Sequence, residues 1–150
     1  MNKKRDNFTS ATRRKLAQRV SYKCSFPNCN KVTVGPILST KDGIHNVGRA
    51  CHIEAAAPGG PRYNESMTSE ERKDINNGIW CCNTHADIID NDTEMFSVPT
   101  LKEWKELAEI YAYETIDASD SVSEKPYTLI QIGNDIIFKG IWRKIDAEKR

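Results

Sequence analysis

The chain has 150 residues, one domain's worth with little left over. Lys+Arg 22 nearly balance Asp+Glu 21, so the net charge of +1 gives no overall argument for a nucleic-acid partner. The hydrophobic share is 38%, and no apolar run approaches the roughly 20 residues that cross a bilayer, so no membrane partner is expected. No apolar stretch follows the charged start Met1-Asn2-Lys3-Lys4-Arg5, so a secretory leader is not expected and a cytoplasmic location is. Five cysteines, an odd number in such a setting, point to metal binding ahead of disulfides.

The balanced total hides a segregation. Met1 to Lys23 holds eight Lys/Arg and a single acid, Asp6, whereas Glu65 to Glu94 holds eight acids and two bases. One reading is a solvated helix face; the other is a local positive patch able to neutralise phosphates.

In chain order, Ser10 or Thr9 caps a first helix to about Val20, with Leu16, Ala17 and Val20 on one face and Arg13, Arg14, Lys15 and Arg19 around it. Cys24-Ser-Phe-Pro-Asn-Cys29 is a tight turn between two cysteines. Val32 to Leu38 is apolar but interrupted by Gly35-Pro36, and Asn46 to Ala55 reads as one strand. Ala57-Pro58-Gly59-Gly60-Pro61 is a loop. Thr68 and Glu71 form a capping box for a short helix, Asn76-Asn77-Gly78 a turn, Ile79-Trp80-Cys81 a brief strand, and residues 83 to 90 a short helix. Thr100 and Glu103 form a second capping box, opening a helix to about Glu114 with Leu101, Trp104, Ala108 and Tyr111 on one face. Residues 117 to 126 read as a polar linker, and Tyr127 to Ile132, a Gly133-Asn134-Asp135 turn and Ile136 to Trp142 as a β-hairpin. The expected organisation is therefore a domain at 1–116, a linker at 117–126 and a hairpin segment at 127–150.

Cys24-x4-Cys29 and Cys82-x2-His85 are two pairs at the spacing of tetrahedral zinc ligands. A structural Zn²⁺ held by them staples the N-terminal segment to the middle of the domain, a gain for a small core. The competing reading is ordinary buried cysteines. Cys81, between Trp80 and Cys82 on an apolar strand, is most simply a small core residue, and Cys51 is left over.

His52 sits in Ala50-Cys51-His52-Ile53 just before the Pro/Gly loop, Asn77 at the turn into the next strand, and Asp90 on the helix after it. With the zinc pairs, these residues make the sequence resemble the HNH, or ββα-metal, endonucleases over about residues 8 to 113. "GRACHIEAAAPGGPRYN" and "NGIWCCNTHADIIDND" resemble the branch found in bacterial anti-phage defence effectors. The resemblance implies an α+β chain: a ββα-metal core with a structural zinc, flanking helices and the C-terminal hairpin. It implies His52 as general base, Asn77 as the residue orienting it or supporting the metal loop, and metal ligands one helical turn apart at Ala86 and Asp90.

Three positions depart from that pattern. Ala86 is not a ligand, Cys51 replaces an acid or histidine, and Cys81 replaces an aliphatic residue. Asp90 is left as the protein ligand of a catalytic ion, which suits Mg²⁺ or Mn²⁺; Cys51 as a soft ligand points instead to Zn²⁺ or Ni²⁺. The implied activity is metal-dependent hydrolysis of DNA, expected to be double-stranded and cut with low sequence preference, in anti-phage defence. Arg13, Arg14, Arg19 and Arg62 are the candidate DNA contacts. The alternative is a zinc-stapled module that binds DNA or protein without cutting. The apolar residues of the hairpin need a surface, so a homodimer or partner protein is expected there.

Overall fold

The computed structural model describes residues 5–116, 127–132 and 135–141. The chain divides into two units, Met1–Ile116 and Asp117–Arg150. It is α+β, with helices and small antiparallel sheets.

Helix α1 (Ser10–Arg19) begins where the Thr9 hydroxyl accepts the Thr12 N–H at 3.0 Å, and it buries Leu16 and Ala17. Ser21 and Tyr22 then take left-handed backbone and turn the chain toward the cysteine knuckle. Within the knuckle Asn28 and Asn30 are also left-handed, a conformation asparagine tolerates better than most residues. Strand β1 (Val34–Pro36) pairs with β2 (Ile44–Asn46), and β3 (Gly48–His52) pairs with β4 (Gly78–Cys82) from Gly48↔Cys82 to His52↔Gly78.

The single strand expected from Asn46 to Ala55 is thus two strands with different partners. The Asn46 side chain accepts the Gly48 N–H at 2.8 Å, and the Val47 N–H goes to Thr33, so pairing switches at Val47. Only glycine fits at 48: a Cβ there would lie 2.6 Å from the Trp80 ring and 2.7 Å from Thr33.

Helix α2 (Ser69–Lys73) carries the expected capping box of Thr68 and Glu71. A 3-10 turn at Ile75–Asn77 leads into β4, all five residues of which are buried. Helix α3 (Asn83–Asn91) follows without a linker. Helix α4 (Val98–Thr115) begins ahead of the expected box: Ser97 is the cap, and Pro99 sits in the first turn, where no N–H is needed. Tyr111, expected on the buried face, is 47% exposed beneath the Lys23 ammonium, while Ala112 is buried instead.

Side chains alternate across the β3–β4 ribbon and build two cores. Cys51, Ile79 and Cys81 face α3 and α4, joining Ala86, Ile89, Phe96 and Leu101. Trp80 faces α1, joining Phe8, Leu16, Ala17 and Val20, with Ala50 packed against them. The Trp80 indole N–H donates to the Thr33 hydroxyl at 2.9 Å, and that hydroxyl donates to the Tyr22 carbonyl at 2.6 Å.

In the second unit β5 (Tyr127–Ile132) pairs with β6 (Asp135–Ile141), with a register shift at Ile130/Gln131. The expected linker at 117–126, Gly133, Asn134 and Trp142 lie outside the described residues.

Leu101 is fully buried between α4 and the ribbon. Leu101→Ala is expected to cost about 2–5 kcal/mol, read from denaturant unfolding. Glu109 joins α1 to α4 through Arg19 and Lys105. Burial raises its pKa, but the hydrogen bonds from Arg19 and Lys105 outweigh burial and hold the carboxyl below its usual range. A carboxyl held low stabilises the fold above its unfolded pKa and loses that contribution as pH falls through the folded value. Glu109→Gln is therefore expected to flatten the loss of stability below about pH 4 in thermal melts. An unchanged acid limb would show the cluster to be inert.

Candidate functional site

Four metal-ligating side chains meet beside β4. Cys24 and Cys29 come from the knuckle, held by the Cys24 N–H to Lys31 and the Cys29 N–H to Phe26. Cys82 ends β4 and precedes α3, whose first turn carries His85. The donor atoms of Cys24, Cys29, Cys82 and His85 all lie within 4.8 Å of one another. His85 Nδ1 is 3.2 Å from the Cys82 sulfur and 3.5 Å from the Cys24 sulfur. A tetrahedral ion with bonds of about 2.3 Å to sulfur and 2.0 Å to nitrogen needs edges of roughly 3.5–3.8 Å, so the set fits a structural zinc. All five cysteines are free thiols.

The surroundings complete the cluster. The Phe26 ring stacks on His85 at 3.9 Å and meets Phe96 and Trp104 edge-on, walling the site with aromatic surface. The Cys24 thiol is drawn down first by its hydrogen bond with Cys81, then by the N–H groups of Cys82 and Phe26. Burial pushes Cys29 up, and Cys81 is raised by the same bond to Cys24 and by Cys51. The sequence context of Cys81, between Trp80 and Cys82 on an apolar strand, shows only its place in the core.

A second site lies at the far end of β3. A cleft of about 510 Å³ is lined by residues that include Arg5, Arg49, Cys51, His52 and Asp90. His52 Nε2 donates to the Asp6 carbonyl at 3.0 Å, and the Phe8 ring lies flat on the imidazole at 3.8 Å. A carbonyl only accepts, so the proton is on Nε2 and Nδ1 is the basic nitrogen. Burial lowers the His52 pKa, favouring the neutral ring. Asp90 on α3 is 41% exposed, and one of its oxygens accepts from Arg62 at 2.8 Å.

Asn77 is buried away from this cleft and braces it from behind. Its Oδ1 accepts the Glu54 N–H at 2.9 Å, and its Nδ2 donates to the carbonyls of Glu54 and Arg72. Arg62 is also inside the fold: its guanidinium, 5% exposed, donates to the carbonyls of Ile53, Ile89 and Phe96 and to Asp90. It clamps the loop after β3 onto α3 and leaves no open fork for a phosphate. Arg13 and Arg14 are exposed on α1, Arg19 pairs with Glu109, and Arg49 pairs with Asp87. Ala86 is fully buried. The residue whose carbonyl meets His52, Asp6, stands out in the sequence only as the single acid among eight bases.

Among the described residues no helix is long and apolar enough to cross a membrane. Cys29→Ser is expected to drop metal content well below about one zinc per chain and to lower the melting temperature, whereas Cys51→Ala keeps the metal. Metal analysis with melting curves checks both; full zinc in Cys29→Ser would remove that thiol from the ligand set. What these two sites do rests on their own geometry: no protein-family model matches the chain, and no curated protein matches its sequence.

Proposed function

We propose that the chain is a metal-dependent endonuclease of the HNH type that hydrolyses DNA phosphodiester bonds. The observation that carries this reading is the setting of His52: its Nε2–H is bound to the Asp6 carbonyl, which leaves Nδ1 as the nitrogen that can take a proton, in a cleft shared with the Asp90 carboxylate. The order β3, β4, α3, with the histidine on the first strand and the carboxylate on the helix, supports it.

Hydrolysis needs a base that takes a proton from water and positive charge for the phosphorane. Nδ1 of His52 is that base. Arg5 and Arg49 line the same cleft, and Arg5 offers a cationic group to the phosphate, whereas Arg49 would have to leave Asp87 to do so. A hard divalent ion, Mg²⁺ or Mn²⁺, held by Asp90 with water filling the remaining positions, would supply the charge on the scissile phosphate. Arg13 and Arg14, exposed on α1, are the candidate backbone contacts away from the cleft. The setting implied by the resemblance is anti-phage defence.

The second reading is a zinc-stapled binding module without cleavage. Ala86, apolar and buried where a second helix ligand is expected, and the Arg62–Asp90 pair favour it.

Nicking of supercoiled plasmid with Mg²⁺, Mn²⁺ or Ni²⁺ separates the two. His52→Ala is expected to reduce nicking by at least about 100-fold while zinc stays near one per chain. Asp90→Asn is expected to raise the divalent-ion concentration that half-saturates nicking. Undiminished cutting by His52→Ala excludes the proposed base, and DNA binding without nicking under all three metals supports the module.

A further inference from the structure

Asp6 is the single acid in the basic stretch Met1–Lys23, and it is buried. A buried carboxylate requires partners. The Ser69 hydroxyl donates to it at 2.7 Å, Arg72 reaches it at 3.4 Å and the Lys73 ammonium at 3.8 Å, all three from α2. The backbone of the same residue makes two further bonds. Its N–H donates to the Ala56 carbonyl at 2.9 Å, and its carbonyl accepts His52 Nε2–H at 3.0 Å. Two residues on, the Phe8 ring covers the imidazole, 5° from parallel. The stretch from Arg5 to Phe8 belongs to no helix or strand, so its hold on His52 rests on the one main-chain bond to Ala56, the burial of Phe8 and the contacts of the Asp6 carboxylate.

We propose that Asp6 is a positioning residue: its carboxylate, latched to Ser69 and Arg72, holds its own carbonyl against His52, so the imidazole keeps its proton on Nε2 and leaves Nδ1 free to act as the base. Neutral imidazole in water exchanges between its two tautomers, and an acceptor fixed beside Nε2 selects the form protonated there. The latch also reaches the brace behind the cleft, because the Arg72 carbonyl accepts from Asn77 Nδ2 at 3.0 Å. The catalytic consequence rests on the nuclease reading; the fixed tautomer does not.

The test uses the full chain with ¹⁵N-labelled histidine at about pH 8, above the usual histidine range. His52→Gln assigns the signal among the three histidines. Wild-type His52 is expected to show the Nε2–H tautomer alone. Asp6→Ala is expected to give a tautomer mixture and to lower nicking by roughly 10- to 100-fold. Ser69→Ala is expected to shift both in the same direction by less, and Asp6→Asn, which keeps an acceptor for Ser69, to retain more of the wild-type signal than Asp6→Ala. Melting curves establish folding; if Asp6→Ala does not fold, Ser69→Ala, which removes one hydroxyl, carries the same readout. A wild-type ring protonated on Nδ1, or an unchanged tautomer in the folded variants, overturns the latch. A wild type with the fixed tautomer that nicks no DNA under any metal overturns the nuclease reading and leaves the latch standing.

Discussion

Cys82 carries three constraints at once. It is the last residue of a strand buried throughout, the residue before α3, and a donor in the Cys₃His cluster. The cluster brings the knuckle after α1 against the β4–α3 junction, more than fifty residues downstream. Among the described residues few large side chains are completely buried: Ile53, Ile79, Ile89 and Leu101 lead them. A core of that size gains from a metal staple. The pairing of β4 with β3 sets His52 opposite Gly78 at the end of the ribbon away from Cys82. The ribbon thus carries structural sulfur at one end and an imidazole at the other, and the register between them links the two.

What was legible in the sequence was local or covalently close. The Thr68–Glu71 capping box, the Cys24–Cys29 turn and the Cys82–His85 pair each lie within one turn of chain, and each forms as its residue types dictate. The strand break at Val47 was not legible, because it depends on Thr33 taking the Val47 N–H and on Trp80 crowding Gly48. Helix α4 starts ahead of the expected box because two overlapping signals compete, Ser97 with Thr100 and Thr100 with Glu103, and the proline favours the earlier one.

The two polar residues whose roles differ most from a surface reading are Arg62 and Asp6. Arginine has five N–H donors, and at position 62 three backbone carbonyls and a carboxylate converge to accept them. Nothing in the neighbouring residues announces that convergence. It results from the Pro/Gly loop folding back over α3. Asp6 has the same character: its partners lie more than sixty residues away in α2. Long-range polar satisfaction is what a single sequence conceals.

The β1–β2 pair is built differently from β3–β4. Its strands are three residues long, and β2 is exposed at every position, with Ile44 65% open to solvent. Few buried apolar contacts oppose its separation, so the ladder opens by local fluctuation while the ribbon beneath remains intact. The His45 amide hydrogen, in the β1–β2 ladder, is therefore expected to exchange with solvent by a route that bypasses global unfolding, and that of Ile79, in the β3–β4 ladder, is not.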